Sequence, residues 1–113
     1  MTIHLERGEQ IATITIDRTH RRNALDLASL EDLHAAVVRC VADGTRAIVL
    51  TGADGHFCAG ADLSHLGGGH GTSDEEGLLA IYEGFLRIAR SPLPSIAAVN
   101  GPAVGLGCSL AAL

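Results

Sequence analysis

Apolar and polar residues alternate at period two in Ile3-His4-Leu5-Glu6-Arg7 and again in Ile11-Ala12-Thr13-Ile14-Thr15-Ile16, with Gly8-Glu9-Gln10 between them. This pattern predicts a hairpin of two antiparallel strands. Beyond the polar stretch 18–23 the period changes. Leu27, Leu30, Leu33, Val37 and Val41 recur at spacings of three and four, which predicts an amphipathic helix over 27–42 with Asp26 as its N-cap and Asp43-Gly44 as its stop. The β-rich apolar run Arg46-Ala47-Ile48-Val49-Leu50-Thr51 predicts a central parallel strand buried on both faces.

The turn residues Thr51-Gly52-Ala53-Asp54-Gly55 then lead into His56-Phe57-Cys58-Ala59-Gly60-Ala61-Asp62-Leu63, where small side chains crowd the strand exit and a short helix is predicted to begin at Asp62. Gly67-Gly68-Gly69-His70-Gly71 reads as a flexible loop. Ser73 followed by Glu76 has the form of a capping box, and Leu78, Tyr82, Phe85 and Ala89 supply one face of a helix over about 74–90. Ser91-Pro92-Leu93-Pro94 stops that helix. Ser95-Ile96-Ala97-Ala98-Val99 predicts a second buried strand, Asn100 to Gly107 its exit, and Cys108-Ser109-Leu110-Ala111 a further helix. The order β-β-α-β-(short α)-α-β-α is an α/β arrangement with right-handed crossovers. Both glycine-rich loops follow parallel-type strands, at the end where such sheets gather ligands.

Composition narrows this picture. A chain of 113 residues holds one domain with a modest core, and with aromatics at 3% that core is built from Leu, Ile, Val and Ala. A formal charge of −5 with scattered arginines argues against nucleic acid or an anionic membrane as partner. Cys40, Cys58 and Cys108 are an odd number at spacings of neither a disulfide framework nor a metal knuckle, so reduced thiols in a cytoplasmic protein are expected. No apolar run reaches the roughly 18 residues of a membrane span, and the N-terminal residues do not have a signal-peptide pattern. Ser109 to Leu113 is helix-like and apolar without a closing residue, so the chain is expected to be part of a longer domain.

The loops at 58–62 and 104–108 are the candidate chemistry. If they meet, each supplies backbone N–H donors, and two donors converging on one oxygen make an oxyanion hole contributing about 3–4 kcal/mol per donor. The plain alternative is a pair of glycine turns that only help strands and helices pack. Other chemistries fit less well. Gly105-Leu106-Gly107-Cys108-Ser109-Leu110 lacks the third glycine of a dinucleotide fingerprint, and Ser109 lacks the second glycine of a nucleophile elbow. His56, His65 and His70 match no zinc spacing, and Cys58 and Cys108 read as small apolar residues. No metal or dissociable redox cofactor is indicated.

Three blocks, in order and register, resemble the enoyl-CoA hydratase/isomerase, or crotonase, family: Arg22-Asn23-Ala24-Leu25; Ile48-Val49-Leu50-Thr51-Gly52 running into Phe57-Cys58-Ala59-Gly60-Ala61-Asp62-Leu63; and Pro94 through Leu110. The resemblance covers essentially the whole chain. It implies a crotonase-like spiral of repeated ββα units, of which residues 1–113 are the N-terminal part of a single acyl-CoA-binding domain. It further implies that the amides of Ala61 and Leu106 hold the thioester carbonyl, with Gly105, Gly107 and Ser109 as substrate-binding residues of the second loop. Ala24, Ala59, Asp62 and Leu63 would line the CoA and pantetheine path, and Arg21 or Arg22, with Arg22 the candidate, would approach the CoA phosphates. The implied reaction is enoyl-CoA hydration or double-bond isomerisation in fatty-acid or related acid catabolism, with coenzyme A as part of the substrate. A homo-oligomer, trimer or dimer of trimers, is implied as well. One departure stands out: hydratases of the family carry glutamate at the position of Ser109, and a serine hydroxyl has no pKa near neutrality with which to serve as acid or base. The second reading is therefore a truncated or divergent relative that binds acyl-CoA or oligomerises without catalysis.

Overall fold

In the computed structural model, which describes residues 2–62 and 71–112, four strands form one sheet in the order β1 (Ile3–Arg7), β2 (Ile11–Ile16), β3 (Ala47–Gly52), β4 (Ser95–Ala97). The hairpin is as the alternation predicts, with Ile3 opposite Ile16 and Arg7 opposite Ala12 in antiparallel register. β2 pairs with β3, and β3 with β4, in parallel. Helix α1 (Leu27–Ala42) connects the first parallel pair and α2 (Gly71–Ala89) the second, with α3 (Leu106–Ala111) following β4.

Period two decides which side of the sheet is covered. Ala12, Ile14 and Ile16 of β2 are fully buried, as are Ile48 and Leu50 of β3 at 4% and 6% exposure. α1 lays Leu30, Leu33, Ala36, Val37 and Cys40 into this layer, each large aliphatic side chain contributing roughly 1.5–3 kcal/mol by its removal from water. The helix begins where Asp26 Oδ1 accepts from the Ser29 N–H at 2.9 Å and from the Ser29 hydroxyl at 2.6 Å. It ends at Gly44, whose φ of +77° suits glycine, with Thr45 N–H donating to the Cys40 carbonyl.

Several expectations are corrected. β3 is fully buried on one face only, since Ala47, Val49 and Thr51 are half-buried. β4 is three residues long rather than five and is not buried: Ser95 and Ile96 are exposed, Ile96 at 62%, and Ala97 is half-buried, because the strand lies at the end of the observed sheet order and Ile96 points to the face opposite that of Ile48 and Leu50. α2 starts at Gly71, so Ser73 lies within its first turn and is not a cap; the helical backbone runs through the four-residue pattern. Its buried face is Ile81, Phe85 and Ile88, whereas Leu78, Tyr82 and Ala89 are exposed. Apolar residues surround this helix, so periodicity leaves its rotation open. Gly84 settles it: a Cβ there would stand 3.1 Å from Leu30, so the two helices meet at that glycine. Leu27 and Val41 at the ends of α1 are likewise exposed. α3 starts at Leu106, two residues before the predicted start. The predicted short helix beyond Asp62 and residues 67–70 of the predicted 67–71 loop lie outside the described residues, whereas Gly71 opens α2 instead of ending that loop.

Burial pushes the Asp26 carboxyl up, but the two Ser29 hydrogen bonds and Arg18 outweigh it, and the net is a pKa below the ordinary 3.8. A lowered folded-state pKa means that the capping contribution is complete above the unfolded value and is lost as pH falls through the folded one. Asp26→Ala is expected to cost about 1 kcal/mol in urea unfolding at pH 7, and the difference from wild type should shrink as the titration is carried below the ordinary carboxylate range.

Candidate functional site: the joined exits of β3 and β4

The chain leaves β3 through Asp54 and Gly55, both left-handed at φ +56° and +75°, and Phe57 then plugs the core at 0% exposure. Cys58 forms an isolated parallel bridge with Ala103. Its N–H donates to the Pro102 carbonyl at 3.3 Å, and its carbonyl accepts from Val104 at 3.0 Å. The two glycine-rich loops therefore do meet, main chain against main chain. Gly107 is buried because of this contact: a Cβ there would fall on the Cys58 carbonyl oxygen, and one at Gly101 on the Gly55 carbonyl.

On the first loop, a second isolated bridge joins Leu25 to Ala61. Leu25 N–H donates to the Gly60 carbonyl and Asp62 N–H to the Leu25 carbonyl, both at 2.8 Å. In such a bridge the residue between the bonded neighbours turns its own N–H and C=O to the opposite side. Ala61 N–H therefore points away from the 22–25 segment. Gly60, at φ +102°, makes the bend that permits this. On the second loop, Gly105 takes φ +57° and Leu106 opens α3, the N–H groups of Gly107 and Cys108 turning back to Val104 and Gly105. Among the described residues, neither Ala61 N–H nor Leu106 N–H has a backbone acceptor. Ala61 lies three residues beyond Cys58 and Leu106 three beyond Ala103, so both donors stand at the same offset from the bridge.

The other expected site residues are distributed around this joint. Ala59 is half-buried, its N–H bonded to the Arg22 carbonyl at 3.1 Å, and Ala24 is 9% exposed with its carbonyl engaged by Arg18. Arg22 is exposed at φ +53°, whereas Arg21 Nε lies 3.9 Å from Asp62 Oδ2. Asp62 is buried against Arg18, which gives its carboxylate a structural partner. Gly107 serves the loop contact. Ser109 is exposed on α3, with its N–H on the Gly105 carbonyl at 3.3 Å. Leu63, His65 and His70 lie outside the described residues. Burial raises the Cys58 thiol pKa against a lesser opposing effect of the Gly60 carbonyl, which disfavours the thiolate.

The side chains of Asn23, Asn100 and Arg18 carry the joint without having stood out individually. Asn23, fully buried at φ +61°, accepts from Arg18 N–H at 2.8 Å and donates to the carbonyls of Ala53 and His56 at 3.0 and 2.9 Å. Gly52 leaves room for that amide, since a Cβ there would stand 2.9 Å from Asn23 Nδ2. Asn100 clasps Gly52 from the other side, donating to its carbonyl at 2.6 Å and accepting from its N–H at 3.3 Å. Arg18 is the third. The available signal was Asn23 itself, because asparagine is the side chain that most readily tolerates the left-handed region while bonding local backbone.

Gly107→Ala places a methyl on the Cys58 carbonyl and is expected to cost about 1–3 kcal/mol, the usual range for forced overpacking. Urea unfolding of the purified protein checks this, and a value near zero would show that the loops are not in contact.

Residues 6–113 match the family model described as enoyl-CoA hydratase/isomerase. The chain is 47% identical over 108 residues to the probable enoyl-CoA hydratase EchA14 of Mycobacterium tuberculosis, covering 95% of this chain and 42% of that protein. It is 45% identical over 111 residues to a probable enoyl-CoA hydratase of Rhodobacter capsulatus, covering 97% and 42%. Among solved structures, an enoyl-CoA hydratase from Bacillus anthracis superposes with a TM-score of 0.86 at 32% identity, over 98% of this chain and 44% of that one. A probable enoyl-CoA hydratase/isomerase from Mycobacterium abscessus gives a TM-score of 0.82 at 34% identity, over 98% and 44%. The chain thus spans about two-fifths of the length of these relatives. A match over nearly every residue, on a mixed α/β fold shared with those structures, shows that this chain belongs to the enoyl-CoA hydratase/isomerase family.

Proposed function

We propose that the joined loops bind the thioester carbonyl of an enoyl-CoA, with Ala61 N–H and Leu106 N–H as its two donors, for hydration or double-bond isomerisation. The observation that carries this reading is the Cys58–Ala103 bridge, with an N–H group that has no backbone acceptor three residues beyond it on each strand exit. When water adds across a double bond conjugated to a thioester, hydroxide joins the β-carbon and negative charge collects on the carbonyl oxygen until a proton reaches the α-carbon. Isomerisation passes through the same enolate after loss of a proton. Fixed N–H dipoles aimed at that oxygen stabilise the charge without reorganising. CoA enters as part of the substrate, with Ala24 and Ala59 beside its pantetheine arm and the exposed Arg22 facing solvent where phosphates would lie.

Proton transfer requires a different group. Ser109 is no acid or base at neutral pH, and the Asp62 carboxylate is held by Arg18. Ser109 is also the observation favouring the second reading, an acyl-CoA-binding relative that holds the thioester and performs no hydration. Assembly into trimers, or dimers of trimers, belongs to the same proposal.

Replacing Ala61 by proline removes one donor, and the bonds to Leu25 do not use that N–H, since they run through the Gly60 carbonyl and the Asp62 N–H. In the purified protein, turnover of crotonyl-CoA is expected to fall by about 10²–10³, corresponding to about 3–4 kcal/mol. Unchanged turnover would exclude Ala61 as a donor. Tight acyl-CoA binding without wild-type turnover would select the second reading.

A further inference from the structure

Asp62 directly follows the proposed donor Ala61, and its side chain is only 5% exposed. Facing it is Arg18, itself 10% exposed, at the start of the loop between β2 and α1. One guanidinium nitrogen of Arg18 donates to Asp62 Oδ2 at 2.9 Å and to the Ala24 carbonyl at 2.6 Å, and the other lies 3.5 Å from Asp26 Oδ2 at the cap of α1. The main chain of Arg18 is engaged as well: its N–H donates to Asn23 Oδ1, and its carbonyl accepts from the N–H groups of Arg21 and Asn23. One residue thus touches the donor loop, the helix cap and the asparagine that holds the exit of β3.

We propose that Arg18 is a positioning residue of the thioester site, its guanidinium orienting the Ala61–Asp62 segment by tying Asp62 to the Ala24 carbonyl and the α1 cap. The proposal rests on the oxyanion reading above and names what aims one of its donors. A buried ion pair contributes little net stability once desolvation is counted; what this one contributes is direction. The Leu25 bridge fixes which side Ala61 N–H faces, and the Asp62 carboxylate is the next fixed point along the chain. A displacement of about 1 Å in a catalytic group costs on the order of a hundredfold in rate, so a looser anchor is felt in the transition state before it is felt in the fold. Lysine cannot substitute, because an ammonium lacks the planar fork that reaches three oxygens at once.

The test compares wild type with Arg18→Lys and Asp62→Asn, each assayed below the onset of its own thermal unfolding. Steady-state kinetics use crotonyl-CoA. A second readout uses an aryl-acrylyl-CoA, whose thioester absorption moves to longer wavelength as its carbonyl oxygen is polarised. Both variants are expected to lose about ten- to a hundredfold in kcat with KM within about twofold, and to show a smaller absorption shift for the bound ligand. A variant that folds, binds and retains wild-type kcat and the full shift overturns the proposal, as a merely structural pair would lower the unfolding temperature alone. If Arg18→Lys does not fold, Asp62→Asn decides by the same two readouts. A wild-type protein that neither polarises the bound thioester nor turns it over overturns the functional reading and this proposal with it.

Discussion

The carbonyl of Cys58 accepts the N–H of Val104 and leaves no room for a side chain at Gly107, so the exits of β3 and β4 touch backbone to backbone. Other features of the region follow from that contact. The approach demands glycine at 101 and 107, places the start of α3 beside the first loop, and sets Ala61 and Leu106 at equal distance along their chains from a shared bridge. Amides held in this way present a positive pole without a charged group at the pole itself, and the side to which Ala61 N–H turns is set by the main-chain bonds to Leu25.

The sheet and α1 were legible because their information is local. Alternation in 3–7 and 11–16, the Asp26 cap and the three- and four-residue spacing of Leu30, Leu33 and Val37 each specify their element without reference to the rest of the chain. The two glycine-rich loops were legible as backbone specialists for the same reason. What sequence could not supply was rotation and depth. α2 carries apolar residues at 78, 79, 81, 82, 85, 86 and 88, and only the close approach of Gly84 to Leu30 selects the buried set. β4 has the residues of an interior strand yet exposes Ile96, because apolar composition does not encode which neighbours a strand has.

The polar parts of the site were the least legible. Asp62 reads as the start of a short helix, and only the family resemblance sets it on the CoA path; its pairing with an arginine 44 positions away has no local signal. Arg18 sits in a polar stretch that resembles solvated surface, and its burial becomes visible only when the loop between β2 and α1 folds under the exit of β3. Buried charges of this kind are specified by tertiary structure, since neither partner alone tolerates removal from water.

Arg22 and Asn23 occupy the left-handed region in succession, a conformation that costs a non-glycine residue roughly 1–2 kcal/mol. The loop from 18 to 23 is therefore unfavourable in isolation and is held by carbonyls 30 and 33 positions later, those of Ala53 and His56. Both carbonyls lie at the exit of β3, so these bonds depend on the parallel pairing of β2 with β3, a non-local contact of the slower kind. The loop at 58–62 is bonded to the 22–25 segment through the carbonyls of Arg22, Leu25 and Gly60, so its amide protection is expected to follow global unfolding rather than local fraying.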